Sequence, residues 1–108
     1  MLMSKYHAIK TEMDGIIFAS RAEAQRYGEL KILEYQNHIA CLELQPKYPI
    51  VVNGKKICTY IADFRYNDLD SKWQIIEDVK GIRTPVYRLK KKLVEAIYNI
   101  EITEVSQK

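Results

Sequence analysis

Two apolar runs in this chain are interrupted by charges that a buried strand does not readily accept. They read Tyr60-Ile61-Ala62-Asp63-Phe64-Arg65-Tyr66 and Trp73-Gln74-Ile75-Ile76-Glu77-Asp78-Val79-Lys80-Gly81. Their β-branched and aromatic content predicts strands. A carboxylate within such a strand is costly unless it is paired or hydrogen-bonded, so Asp63, Glu77, Asp78 and Lys80 each need a reason in structure or function.

The rest of the chain supplies the frame around these strands. Met13-Asp14-Gly15-Ile16-Ile17-Phe18 predicts an edge hairpin about an Asp-Gly turn. Ser20-Arg21-Ala22-Glu23 has the capping-box pattern and predicts a helix running to Tyr35 or Gln36, stopped at Asn37-His38. Extended segments follow at Leu42 to Pro46 and Tyr48 to Val52. Asn53-Gly54 suits a tight type I′ turn that pairs this chain with one strand from Lys56 to Tyr66. After a polar turn at Asn67 to Lys72 comes the strand Trp73 to Val79. Pro85 can open a second helix reaching Tyr98, with Leu89, Leu93, Ala96 and Ile97 as its buried stripe. Glu101 to Val105 reads as the last strand. The expectation is a single α/β domain over residues 1–108, with helix, three strands, helix and strand around a central mixed sheet. Met1 to Lys10 reads as a flexible basic arm.

At 108 residues the chain can bury one core but not two. A net charge of +3 does not by itself imply a nucleic-acid partner, but the distribution of charge says more. From Ile82 to Leu93 the chain carries Arg83, Arg88, Lys90, Lys91 and Lys92 with no acid among them, a face suited to phosphates. Cys41 and Cys58 have no partner at metal-binding spacing and read as reduced core residues. No apolar stretch approaches the roughly 20 residues that span a bilayer, and no signal peptide is visible. A soluble, cytoplasmic protein with no membrane partner is expected.

Alternation along a strand sorts the charged residues. Gln74, Ile76, Asp78 and Lys80 share one face, and Trp73, Ile75, Glu77 and Val79 share the other. Asp63 shares its face with Ile61 and Arg65, opposite Cys58, Tyr60, Ala62, Phe64 and Tyr66. Hard divalent cations take oxygen ligands, so Asp63, Asp78 and the Val79 carbonyl are candidate ligands for Mg²⁺ or Mn²⁺. Such an ion, with Lys80 orienting a water or stabilising phosphorane charge, suits phosphodiester hydrolysis. A cross-strand ion pair between Asp78 and Lys80 or Arg65 is the bland alternative. Glu23 either caps its helix or leads the face of Tyr27, Leu30 and Glu34 toward the metal. Gln45 stands at a strand entry as an accessory candidate. Asp68 and Asp70 read as a solvated turn.

These blocks in this order resemble the PD-(D/E)XK nuclease superfamily, which has the restriction-endonuclease-like fold and includes archaeal-type Holliday-junction resolvases. Lys5-Tyr6-His7-Ala8, Phe18 to Ala24, Leu44-Gln45-Pro46, Tyr60 to Phe64 and Glu77 to Gly81 look like a family of small phage and prophage proteins long catalogued as a domain of unknown function. Ala62 stands where the superfamily name carries proline. The resemblance implies a metal site at Glu23, Asp63 and Asp78, with Lys80 beside the water and Mg²⁺ or Mn²⁺ as cofactor. It also implies DNA as substrate, with Lys5 and the basic helix as contacts. The function expected from it is a structure-dependent or nicking DNA endonuclease. Cleavage of a junction needs two active sites and hence a homodimer. The alternative is a non-catalytic or partner-dependent nucleic-acid-binding module of the same fold.

Overall fold

The computed structural model describes residues 10–106. Lys5 and most of the expected N-terminal arm lie outside the described residues.

The chain opens with a small hairpin, β1 (Thr11–Met13) and β2 (Ile16–Phe18), turned by Asp14 and Gly15 at positive φ. Helix α1 (Arg21–Tyr35) then starts as predicted, with the Ser20 side chain accepting the Glu23 N–H at 3.1 Å. It ends where Asn37 turns left-handed at φ 63, and the Asn37 and His38 N–H groups cap the last carbonyls. Strands β3 (Ile39–Leu44), β4 (Lys47–Val52), β5 (Lys55–Ile61), β6 (Phe64–Asp68) and β7 (Gln74–Lys80) follow. The chain closes with helix α2 (Pro85–Tyr98) and strand β8 (Ile102–Ser106).

Four strands form the main sheet in the order β3-β6-β7-β8, antiparallel except for the parallel pair β7 and β8. Helix α2 supplies the crossover that a parallel pair requires. Among the described residues strands β4 and β5 pair only with each other, about the Asn53-Gly54 turn, whose two positive φ values fit type I′. The architecture is therefore mixed α/β with two helices and several sheets.

The single strand expected from Lys56 to Tyr66 is divided at Ala62 and Asp63 into β5 and β6. On the facing chain Gln45, at φ 53, and Pro46 divide β3 from β4. The backbone still pairs across this break, Gln45 N–H to the Asp63 carbonyl at 2.9 Å and Ala62 N–H to the Pro46 carbonyl at 3.1 Å. The result is one long hairpin, folded in the middle, whose outer half leaves the main sheet.

The fold in the hairpin overturns the alternation expected for these residues. Phe64 and Tyr66 join Tyr27, Leu30, Ile39 and Val79 in the core under α1, whereas Tyr60 and Ala62 join Ile50, Ile76, Val94 and Ile102 in the core under α2. A strand without a break would have placed all four on one side.

Two smaller expectations also change. In α2 the buried residues are Tyr87 and Val94, while Leu89 and Ile97 remain 60% and 44% exposed. The helix lies on Ile76 and Ile102 through its Tyr87 side, so the expected stripe faces outward apart from half-buried Leu93. Cys41 is exposed rather than buried, because a bulge between Ala40 and Glu43 turns it out at φ 58. Cys58 is half-buried, and both thiols are free. Asp68 and Asp70 do form a turn, in which Asp68 accepts the Asp70 N–H and Asp70 pairs with His38.

Candidate functional site

The division between β5 and β6 delivers Asp63 to the side of β7. Its N–H donates to the Glu77 carbonyl at 3.0 Å, and its Oδ2 accepts the Val79 N–H at 2.7 Å. Beside it, β7 carries Glu77 and Asp78, both about 1% exposed and pointing to opposite faces. Their surroundings differ. Under α1, Glu77 receives a two-point hydrogen bond from Arg26, Nε at 2.8 Å and Nη2 at 2.6 Å, and another from the Tyr66 hydroxyl. Those contacts satisfy and neutralise it. Its partners raise the Arg26 guanidinium above its ordinary value, chiefly through the hydrogen bond to Glu77. Burial, then the bond to Glu77, raises the Tyr66 phenol.

Asp78 is neutralised less completely. Its Oδ2 accepts from the Tyr60 hydroxyl, while Oδ1 is buried with no hydrogen-bond partner among the described residues. Lys80 Nζ stands 3.4 Å from that oxygen, close enough for an ion pair but not aligned for a hydrogen bond. The Lys80 ammonium also lies over the Tyr87 ring, 4.6 Å from its centroid. Tyr87 in turn donates to Glu104 at 2.8 Å. Burial, then the bond to Asp78, pushes the Tyr60 phenol well up.

Glu23 comes to the same place from the first turn of α1. Burial raises its carboxyl, the Lys80 charge lowers it, Asp78 raises it again, and a bond from the Ala19 backbone lowers it. It thus stands at the helix start while sharing the field of Asp78 and Lys80. Asp63 is pushed up to about 8 by burial; the Val79 N–H opposes this, and the Asp78 and Glu23 charges add to it. A cavity of about 90 Å³ beside them is lined by Glu23, Asp63 and Gln45, with Phe18 and Phe64 among its apolar walls.

Four of the residues singled out from sequence, Glu23, Asp63, Asp78 and Lys80, therefore share one electrostatic neighbourhood, with Gln45 at its edge. Val79 enters through its N–H to Asp63. Among the described residues, however, no three acidic, histidine or cysteine side chains converge closely enough to enclose a metal ion as they stand. Asp63 Oδ2 and Asp78 Oδ2 are each engaged by a protein donor.

The basic segment is split. Arg83 and Lys91 approach Glu104 at 2.9 and 3.7 Å. Burial works to raise the Glu104 carboxyl, but Tyr87, Arg83 and Lys91 outweigh it and hold the group low. Arg88, Lys90 and Lys92 form no ion pair among the described residues. An open groove runs between Arg83, Arg88, Lys91, Lys92 and Glu104. Of the two ion pairs in the bland alternative, that of Asp78 with Lys80 is present at 3.4 Å, while Arg65 instead pairs with Glu43 and donates to the Tyr48 hydroxyl.

Sequence reasoning missed Arg26, the bond from Tyr60 to Asp78 and the place of Tyr87, which it weighed for base stacking, under Lys80. Arg26 follows Glu23 by three residues on the same helical surface, a spacing that could have suggested a role near β7. Tyrosines are common core residues, and nothing in the residue type distinguishes these two.

A protein-family profile described as "Protein of unknown function (DUF1064)" matches residues 3–107. No curated protein and no solved structure matches the chain. Because the profile covers nearly its whole length, the protein belongs to that DUF1064 family.

Proposed function

We propose that this protein is a small metal-dependent DNA endonuclease with a restriction-endonuclease-like core of the PD-(D/E)XK type. The observation that carries the reading is the buried Oδ1 of Asp78, which accepts no hydrogen bond among the described residues and faces the Lys80 ammonium at 3.4 Å, within the field of Asp63 and Glu23. A buried acceptor without a partner costs about 1–3 kcal/mol, more when charged, so it calls for a ligand from outside. The main-sheet order α1, β3, β6, β7, α2, β8 supports the same reading.

The donor set fits a hard divalent cation. It consists of carboxylate oxygens on Glu23, Asp63 and Asp78, with the Val79 carbonyl as a further oxygen, and Mg²⁺ or Mn²⁺ needs few protein ligands. When bound, such an ion neutralises phosphate charge and activates a water. Tyr60 fixes the rotation of Asp78, leaving Oδ1 to face Lys80. Lys80 brings a positive charge to the same oxygen and can orient the attacking water or stabilise the charge that develops on phosphorus. The Tyr87 ring holds that ammonium in place. Arg88, Lys90 and Lys92, together with the groove by Arg83, offer positive charge to flanking phosphates. The basic face around Arg88, Lys90 and Lys92 favours recognition through backbone and DNA shape, as in branched or junction DNA cut by a homodimer.

A second reading is favoured by the way Asp63 Oδ2 and Asp78 Oδ2 turn toward protein donors. It is a nucleic-acid-binding module that cleaves only with a partner, or not at all. Incubating labelled linear duplex, single strand, flap and four-way junction with Mg²⁺ or Mn²⁺, beside Asp78→Ala, separates the two. Cleavage abolished by the substitution supports the nuclease. Binding of these DNAs without cleavage of any would move the assignment to the module.

A further inference from the structure

The folded hairpin has an outer half whose tip the proposed chemistry does not use. Its base is anchored: Ile50 is wholly buried, Tyr48 meets Tyr98 edge-on at 5.2 Å, and the Tyr98 hydroxyl donates to the Pro49 carbonyl at 2.7 Å. Its tip is free. Val51, Val52 and Ile57 are 44%, 46% and 59% exposed, around the Asn53-Gly54 turn. The pairing shifts between Ile50 and Val51, so Ile57 is the extra residue of a bulge, which re-aims it outward. Lys55 and Lys56 are exposed beside these apolar side chains and form no ion pair among the described residues. No Asp or Glu occurs between Glu43 and Asp63, so the whole outer hairpin lacks negative charge.

An isolated two-stranded ribbon gains little from exposing Val and Ile at its end. Apolar β-branched residues flanked by unpaired lysines match one kind of surface well, a polyanion with apolar faces between its charges. Nucleic acid is such a surface, and architectural proteins wedge Ile or similar residues into base steps while basic side chains hold the phosphates. The tip reaches two strand residues past Ile50, about 7 Å, comparable to the depth of a DNA groove. Its root is at the candidate site, because Tyr60, which donates to Asp78, lies three residues from Ile57, about 10 Å along β5. One duplex could meet both.

We propose that the β4–β5 hairpin tip is a second DNA contact, inserting Val51, Val52 and Ile57 into a groove while Lys55 and Lys56 bind the flanking phosphates. This deepens the nuclease reading and rests on its DNA substrate, but not on cleavage. It makes a locally opened or bent duplex the preferred partner, because a wedge gains most where unstacking is already cheap.

Binding of a fluorescein-labelled duplex and four-way junction would be followed in Ca²⁺ across a salt series, with 2-aminopurine in the junction arms reporting unstacking. The unmutated protein should bind the junction more tightly and raise the 2-aminopurine signal. Lys55→Gln/Lys56→Gln should lower the log–log salt slope by about two, since each phosphate that a lysine neutralises adds about 0.9 to it. Val51→Ser/Val52→Ser/Ile57→Ser should abolish the 2-aminopurine rise, and Ile57→Glu alone should reduce it should the triple variant fold poorly. Unchanged binding and fluorescence in all three variants would overturn the wedge and leave the nuclease reading standing. Failure of the unmutated protein to bind any DNA would overturn both. A dimer seen by sedimentation and dissolved by the triple variant, with DNA binding unchanged, would assign the tip to a second copy instead.

Discussion

Val79 donates its backbone N–H to Asp63 Oδ2 at 2.7 Å, tying the break between β5 and β6 to the centre of the main sheet. The bond favours an ionised Asp63, yet burial and the neighbouring Asp78 and Glu23 charges prevail and push its carboxyl up to about 8. In the unfolded chain the same group titrates near 3.9. Between these values the folded state holds a proton that the unfolded state has released, so stability falls as pH rises. Without divalent cation, the melting temperature should drop from pH 5 to pH 8, and Asp63→Asn, which can keep the Val79 bond, should flatten that slope. Added Mn²⁺ should raise the melting temperature more at pH 8 than at pH 5, since ligands must be deprotonated. A thermal scan in EDTA with no slope in the parent protein would refute this account of Asp63.

Asp78→Asn separates chemistry from stability. It removes a buried charge with one unpartnered oxygen while keeping an acceptor for Tyr60. Cleavage should fall about 10²–10³-fold or more, in line with losing one preorganised charged group, with melting unchanged or raised. Equal loss of stability and activity would mark Asp78 as structural.

Arg26→Ala should behave in the opposite way. It strands Glu77 beneath α1 with only the Tyr66 hydroxyl as side-chain donor. Removing one partner of such a buried pair costs about 3–5 kcal/mol, readable by urea unfolding. Glu77→Gln in the same chain should recover part of that loss. A change below about 1 kcal/mol would mean that the pair contributes no more than an exposed one.

Tyr87 is expected to act through its ring. Tyr87→Phe keeps the surface under Lys80 and loses the hydroxyl's contacts with Glu104 and Tyr60, so cleavage should stay within about twofold. Tyr87→Leu removes the ring; loss of about 1 kcal/mol of cation–π attraction predicts roughly fivefold slower turnover. Single-turnover rates on a fixed substrate would compare them, and equal rates would remove Tyr87 from the site.

The parts legible in the sequence are those written in local chemistry. Ser20, Pro85 and Asn53-Gly54 each fix a start or a turn through their own backbone preferences, and all three do so in the structure. The division of β5 from β6 was not legible, because Tyr60 to Tyr66 is apolar apart from its two charges and contains neither Gly nor Pro. Its cause sits on the other chain of the hairpin, at Gln45 and Pro46. The outward stripe of α2 misled for a similar reason: periodicity reveals an apolar face, not which part of it the sheet will cover. In the candidate site, Asp63, Asp78 and Lys80 stood out as charges among apolar neighbours. Tyr60, Tyr87 and Arg26 did not, since their roles follow only from what they touch.

The unequal surroundings of Glu77 and Asp78 also guard the assembly of the sheet itself. Strands β7 and β8 bring Ile76, Val79, Ile102 and Val105 together in a parallel pairing, where one aliphatic side chain substitutes easily for another. Hydrophobicity alone would tolerate a slipped alignment. The two acids would not: a slip of one residue one way gives Arg26 the shorter carboxylate and Tyr60 a valine, the other way gives Tyr60 the longer carboxylate and Arg26 an isoleucine, and either way the lysine is carried to the wrong side. The adjacent carboxylates thus act as an alignment mark that penalises a one-residue offset before any substrate arrives.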